Sequence, residues 1–376
     1  MFHLVSAAVC LFVVWRLVWP RPWSLGARVA TALALALVAE HQLITRNFFG
    51  SMSSPEIPGA LLMLLGWLFC GQLLLAMLLL LRDIAALAAR MLQRRGLQAA
   101  LTGTRVSAGL AAAALLLSAV GIWQAVRVPD VRTVEITLPN LPRSLDGFRI
   151  AQLTDLHASR LLQERWMEAV VARTNALNAD LVVITGDLID GTVAARVRDV
   201  APLRKLRSPN GVFAIVGNHE YYVDYPGWVP AFRALGLQLL LNQHQTLRLG
   251  DDAIVLAGIT DVAAAAKRQG WPDLRAALAG APAGPPVILL SHRPVGAVRH
   301  AARGVDLQLS GHTHGGQILG PHLLTRMANE GFVSGLYQVG TMQLYVSNGA
   351  GLWAGFPIRL GVPSEITEIV LRAAAG

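Results

Sequence analysis

Apolar and polar positions alternate on two different scales along the chain. Up to residue 127 apolar side chains run almost unbroken over stretches of about twenty residues; beyond it they come in short runs, each closed by Asp, Asn, His or Gly. Leu61–Leu81 holds Gln72 as its one strongly polar side chain, and Val106–Val126 is rich in Ala and Leu with Trp123 near one end. At about 1.5 Å per residue, helices of this length cross a hydrocarbon core of about 30 Å. Phe2–Trp19 carries Arg16, and Leu25–Thr45 carries Arg28, Glu40 and His41. These charges fall near segment ends, where long side chains reach the interface. Residues 1–127 are therefore expected to be a transmembrane region of about four helices, 2–19, 25–45, 61–81 and 106–126. The first lacks a basic leading region and a small-residue cleavage site, so it reads as a span and not as a cleaved signal.

The short runs begin after a proline-marked linker, 128–147, in which Thr133–Leu138 reads as a strand between Pro129 and Pro139. Residues 148–376 form the second domain. Ile150–Thr154, Leu181–Thr185, Val212–Val216, Val287–Leu290 and Val305–Leu309 read as buried strands, with helix-like Arg160–Leu177 and Val193–Leu206 between them. Ala253–Ile259, Met342–Asn348 and Glu365–Leu371 are further strands, and Ala276–Pro286 is a loop. Each of the first five strands is followed by a polar cluster: Asp155-Leu-His157, Gly186-Asp187, Gly217-Asn-His-Glu220, Ser291-His292 and Gly311-His-Thr-His-Gly-Gly-Gln317. Loops at the same ends of neighbouring strands are where α/β sheets place their sites, so these side chains are expected to converge.

Charge sharpens the division. Residues 1–127 carry ten Arg against three acids; residues 128–376 carry 22 Lys and Arg against 20 Asp and Glu. The excess of positive charge thus belongs to the apolar half, and a near-neutral second domain is a poor match for nucleic acid. Eight Arg flank or fill the first and third loops between spans (Arg16, Arg21, Arg28, Arg82, Arg90, Arg94, Arg95 and Arg105), whereas the second offers Arg46. The positive-inside rule then puts loops one and three in the cytoplasm and the second domain on the extracytoplasmic side of a bacterial-type inner or plasma membrane. The stretch from Arg82 to Arg105 is expected to rest on anionic lipid. Cys10 and Cys70 lie in apolar segments without CxxC spacing and read as small buried hydrophobes.

Taken together and in order, DxH, GD, GNHE, a single His and GHxH make residues ~147–372 resemble the calcineurin-like metallophosphoesterase family. Gly311–Gln317, Val346-Ser-Asn-Gly-Ala-Gly351, and Pro357-Ile-Arg followed by Pro363-Ser-Glu-Ile366 narrow the likeness to its membrane-associated branch. The resemblance implies an α/β architecture, a β-sandwich flanked by helices, behind the helical transmembrane region. It implies two divalent metal ions, one held by Asp155, His157, Asp187 and His314, the other by Asp187, Asn218, His292 and His312. Mixed nitrogen and oxygen donors suit Mn, Fe or Zn, and such a pair makes hydroxide available at neutral pH. His219 is implied as the general acid that protonates the leaving oxygen, with Glu220 as its acidic neighbour where the family usually has Asp. Gln317 and Asn348 are candidate substrate contacts.

The expected function is hydrolysis of a phosphate mono- or diester, lipid-linked or envelope-derived, at a membrane surface. A metal-retaining scaffold or signalling protein has no use for His219, and a nuclease of this fold would show interleaved aromatic and basic residues near the site. HExxH and GxSxG are absent, which excludes the corresponding protease and triad chemistries.

Overall fold

The computed structural model describes residues 2–374. The chain divides into two compact units: residues up to Gln124 together with Ala354–Leu360, and residues from Ala125 to Trp353 together with those from Gly361 onward.

The first unit is helical. Three of its helices, Leu25–Phe48, Gly59–Met91 and Thr104–Val126, are long and apolar enough to cross a membrane. The expected first span is instead a shorter apolar helix, Phe2–Val18, whose last five residues form a π turn. Gly59–Met91 runs 33 residues, ten beyond the Leu81 boundary read from composition, because Leu, Ala, Met and Arg continue without a breaker. Arg82, in that extension, donates to Ser107 Oγ at 2.8 Å and pairs with Asp83 at 2.6 Å. Arg16 Nε reaches the same carboxylate at 2.6 Å, so the charge read inside the first span is neutralised by Asp83, just past the expected end of the third. The segment Ala354–Leu360 belongs to this unit although its flanks do not. Gly355 O accepts from Gln42 Nε2 at 2.5 Å, the Phe356 ring meets Phe69 edge-on, and Arg359 N donates to Gly121 O at 3.0 Å.

The second unit is built on twelve strands: β1 Asp130–Leu138, β2 Arg149–Leu153, β3 Leu181–Thr185, β4 Val212–Ile215, β5 Gln238–Leu239, β6 Gln243–Leu249, β7 Asp252–Gly258, β8 Val287–Leu290, β9 Leu307–Ser310, β10 Gly335–Val339, β11 Met342–Val346 and β12 Glu365–Ala373. They form two six-stranded mixed sheets, ordered β1-β12-β2-β3-β4-β5 and β10-β11-β9-β8-β7-β6. In the first, β2 to β5 run parallel and β12 antiparallel to β2; in the second, β7, β8, β9 and β11 run parallel between antiparallel edges. The segment read as a linker contains β1, nine residues long, which pairs in parallel with β12 from Asp130 to Leu138.

Side-chain alternation explains the layering. Ile150, Leu181, Val183, Phe213 and Ile215 from one sheet pack against Ile254, Leu256, Ile288, Leu290, Leu307 and Leu309 from the other. The intervening positions Ala151, Leu153, Val182, Ile184 and Ala214 meet Trp166, Met167, Val170, Trp228 and Phe232 on the outer helices. Ala257, Leu289, Leu344 and Val346 do the same on the opposite side, against Leu274, Ala277 and Ala297. Strands buried on both faces read as continuous apolar runs, which is why β2, β3, β8 and β9 were legible. Val193–Leu206 is α-helical only to Val200; Pro202 cannot donate, and Ala201–Lys205 tightens to a 3-10 turn.

Candidate metal centre

The parallel order carries the ends of β2, β3 and β4 to one edge of their sheet and those of β8 and β9 to one edge of the other. Beyond the strands the loops stay joined by backbone hydrogen bonds. Asp155 N donates to Gly186 O at 3.0 Å, His157 N to Asp187 O at 3.1 Å and Ala158 N to Leu188 O at 3.0 Å. Gly311 N donates to His292 O at 2.9 Å, joining the loops of the second sheet. Asp155, His157, Asp187, His312 and His314 all take positive φ, between 46° and 68°. Non-glycine residues avoid that region unless their surroundings impose it. The turn it makes aims successive polar side chains the same way. Two glycines allow the close approach: a Cβ on Gly217 would sit 2.2 Å from Asp187 Oδ1, and one on Gly311 2.2 Å from Asp155 Oδ2.

Three overlapping groups of side chains result, one of which sets His219 beside His157 and Asp187. Asp155, His157 and His314 bring ligand atoms within 4.8 Å of one another, and so do Asp187, His292 and His312. The Nε2 atoms of His157 and His314 face each other at 3.3 Å, with Asp155 Oδ1 3.4 Å from the latter. Asp187 Oδ2 lies 3.2 Å from His292 Nε2 and 3.8 Å from His157 Nε2, so it stands between the groups. Asn218 Oδ1 is 3.1 Å from His292 Nε2. The seven side chains singled out as ligands in the sequence are thus brought together.

Their protonation chemistry fits a cation. His292 Nδ1 sits 2.8 Å from the Thr185 carbonyl, which can only accept, so Nδ1 carries a proton and Nε2 is the atom turned toward the site. His157 Nδ1 faces Asp190 Oδ2 at 3.2 Å, leaving its Nε2 for the site. Carboxylate or carbonyl partners behind ligating imidazoles orient them in this way. Burial alone would depress the two histidines, yet Asp187 and Asp155 around His292 push it up to about 9, and Asp190 with Asp155 raises His157 well above 6.5. Burial would raise Asp155 and Asp187, and the histidines hold both below the usual carboxylate range. Protons are here balancing a negative charge that divalent cations would balance instead. His312 differs: burial, His292 and Arg293 all hold it well below 6.5, and its Nε2 accepts from Arg293 Nη1 at 2.9 Å.

His219 stands beside Asp187 with its Nε2 3.9 Å from Oδ2, and its Nδ1 bonds Asp190 Oδ1. The carboxylate read as its acidic neighbour is elsewhere. Glu220 accepts from Gly217 N at 2.7 Å, Leu188 N at 2.7 Å and Asp187 N at 3.2 Å, and makes no bond to the imidazole. Glu220 is therefore a buttress that ties the β4 loop to the β3 loop, and Asp190 is the orienting acid. A sequence signal existed: Asp190 follows Asp187 by three residues on the same loop. Burial raises Asp190, but His219 and His157 bring it down to about 2, so it stays ionised. His219 is raised above 6.5 against its burial by Asp190 and Asp187. Burial and the Asp187 charge push Glu220 up to about 7. Trp228, wholly buried, donates to Gly191 O at 2.8 Å and pins the loop that presents Asp190.

Gln317, half-buried with φ of 60°, lies at the end of the Gly311–Gln317 turn. Asn348 is buried, and its Nδ2 donates to Pro363 O at 3.1 Å, an engagement within the loop between β11 and β12. Arg293 and Asp261, bonded at 2.8 Å, went unassigned in the sequence because no motif includes them.

The profile of the calcineurin-like phosphoesterases matches residues 148–316. A Bos taurus protein named transmembrane protein with metallophosphoesterase domain is 38% identical over 271 residues, 69% of this chain and 61% of the relative. The metallophosphoesterase YkuE of Bacillus subtilis is 34% identical over 256 residues, 65% of this chain and 86% of the relative. The chain spans 61% and 62% of the length of the Bos taurus and Danio rerio relatives. Among solved structures, the calcineurin-like phosphoesterase YfkN of Bacillus subtilis is 14% identical, with a TM-score of 0.35 over 56% of this chain and 82% of its own.

Proposed function

The chain belongs to the calcineurin-like metallophosphoesterase family, and from that premise we propose that it is a membrane-anchored hydrolase of a phosphate mono- or diester working with two divalent ions. One observation carries the reading: two ligand groups, Asp155-His157-His314 and Asp187-His292-His312, share one set of loops, with Asp187 within 4 Å of both. Asp155, His157, Asp187 and His314 would hold one ion, and Asp187, Asn218, His292 and His312 the other. The donors suit Mn, Fe or Zn. When bound, the pair supplies Lewis acidity and an activated water at neutral pH.

The chain's own groups do the rest. His219 holds a proton at Nε2, beside Asp187, because Asp190 fixes Nδ1 and supports the charge. As phosphorus takes the oxygen of water, whose lost proton passes to solvent, the ester P–O bond breaks and the departing alcohol oxygen takes the His219 proton, which solvent then restores. Asp190 is a positioning residue in this step, and Glu220 keeps the His219 loop in register with the Asp187 loop.

Three helices of membrane-crossing length supply the anchor. The substrate we infer is lipid-linked or envelope-derived, presented to an extracytoplasmic domain, an orientation supported by eight Arg in loops one and three against Arg46 in loop two. Metal analysis of the purified protein, with assays on a panel of phospholipid and glycolipid phosphoesters, tests the reading. Two ions per chain and turnover of a membrane-borne ester support it; a metal-free protein inert toward every ester defeats it.

A further inference from the structure

Beside the metal centre lies a cleft of about 480 Å³ that no ligand motif accounts for. The size is that of a small-molecule site. One wall is His292 itself together with Ser291, so the cleft opens on the group that holds Asp187 and His312. Arg293 crosses between them: its Nε donates to Asp261 Oδ2 at 2.8 Å and its Nη1 to His312 Nε2 at 2.9 Å. Farther out the lining turns cationic and aromatic, with Arg299, Arg303 and Trp271.

Two features distinguish this lining from ordinary surface. Arg293 is already neutralised by Asp261, but neither Arg299 nor Arg303 has a carboxylate partner among the described residues. Two unbalanced guanidinium groups at one mouth make a place for an anion. Trp271 is 68% exposed, the largest side chain of the cleft, yet its backbone is held in place. Asn242 Nδ2 donates to Trp271 O at 2.9 Å, while Asn242 Oδ1 accepts from Asp273 N at 3.0 Å and Thr260 N at 3.1 Å. One amide staples the Trp271 segment to the end of β7, so the backbone that carries the indole is already fixed and less remains to be ordered on binding.

We propose that this cleft is the leaving-group subsite, and that it takes an alcohol carrying a second anionic group, a carboxylate or further phosphate, beside an apolar part that lies on Trp271. The proposal rests on the phosphoesterase reading and names its substrate class: esters whose departing portion is itself charged. The reacting phosphoryl group sits with the two ligand groups, and the second anion meets Arg299 and Arg303.

The test uses the full-length protein in detergent, loaded with Mn²⁺, and a matched pair of esters. Glycerol 3-phosphate leaves a neutral alcohol, and 3-phosphoglycerate leaves one bearing a carboxylate. The expected kcat/KM favours 3-phosphoglycerate by about tenfold, the scale of two exposed ion pairs. Arg299→Gln/Arg303→Gln should abolish the preference, leaving glycerol 3-phosphate turnover within about twofold and metal content unchanged. Both arginines are exposed, so the variant should fold as the parent does. Calorimetric titration of the metal-free protein with the same two compounds supplies a readout apart from turnover, and the same preference and its loss are expected there. Equal handling of the two esters, or a preference that survives the double variant, overturns the subsite. Absent turnover with an arginine-dependent binding preference would defeat the enzymatic reading while leaving the subsite standing.

Discussion

The imidazole of His219 is held by Asp190, a residue of the β3 loop, and not by Glu220, its neighbour in the chain. Glu220 faces the other way and accepts three backbone N–H groups. His219, proposed as the general acid, and the carboxylate that bonds it therefore come from different loops, and the two acidic residues have separable tests.

Replacing His219 by Ala should cost about 10²–10⁴-fold on an alkyl phosphoester and far less on a nitrophenyl one, since a good leaving group needs little protonation. Metal content should stay at the parent value. Equal losses on both esters would show that His219 positions phosphate and donates no proton.

Asp190→Asn acts through His219. Asp190 raises the His219 pKa, so its removal lowers that pKa. A general acid works only while protonated, so the alkaline limb of the pH–rate profile on an alkyl ester should move to lower pH. An unmoved limb would mean that Asp190 has only a structural part.

Asp187 stands within 4 Å of both ligand groups, so Asp187→Ala should abolish turnover and lower bound metal below the parent value. Chelation of the parent should also lower its melting temperature. Ligand held at 100 times its Kd adds about 2.7 kcal/mol to stability, and that contribution goes with the metal. Full metal content and near-parental turnover in Asp187→Ala would refute the shared-ligand assignment.

Truncation to a chain starting near Val128 keeps β1 whole. It also removes the helices against which half-buried Phe356 and buried Ile358 pack within the first unit. The truncated protein should hydrolyse a soluble nitrophenyl ester but lose rate on membrane-embedded substrate. Its solubility should improve when Phe356 and Ile358 are made polar. Equal loss on both kinds of substrate would point to a folding role for the helices.

A reporter fused to the C-terminus and active only after export should be active, because eight Arg flank the first and third loops. Activity of a cytoplasm-only reporter there would reverse the orientation.

The sequence by itself determined the strands buried on both faces and the polar residues that close them. Ile150–Leu153, Leu181–Thr185, Val212–Ile215 and Val287–Leu290 are short apolar runs because each packs against a sheet on one side and helices on the other. The Asp, Asn and His that follow then lie at strand ends whatever the connections do, so their convergence could be read in one dimension. Edge strands were less legible: β10 alternates between buried and exposed positions and resembles a polar loop, and of β1 only Thr133–Leu138 could be read, because its first residues are exposed. Tertiary structure alone decided which acid serves His219, because positive φ at Asp187 and the backbone bonds between the β2 and β3 loops set where Asp190 points. It also decided that Ala354–Leu360 leaves its own domain for the helices, and that Asn242 holds Trp271 beside the metal centre. Those outcomes depend on contacts across tens to hundreds of residues, and a local pattern carries no record of which distant backbone group a side chain will meet.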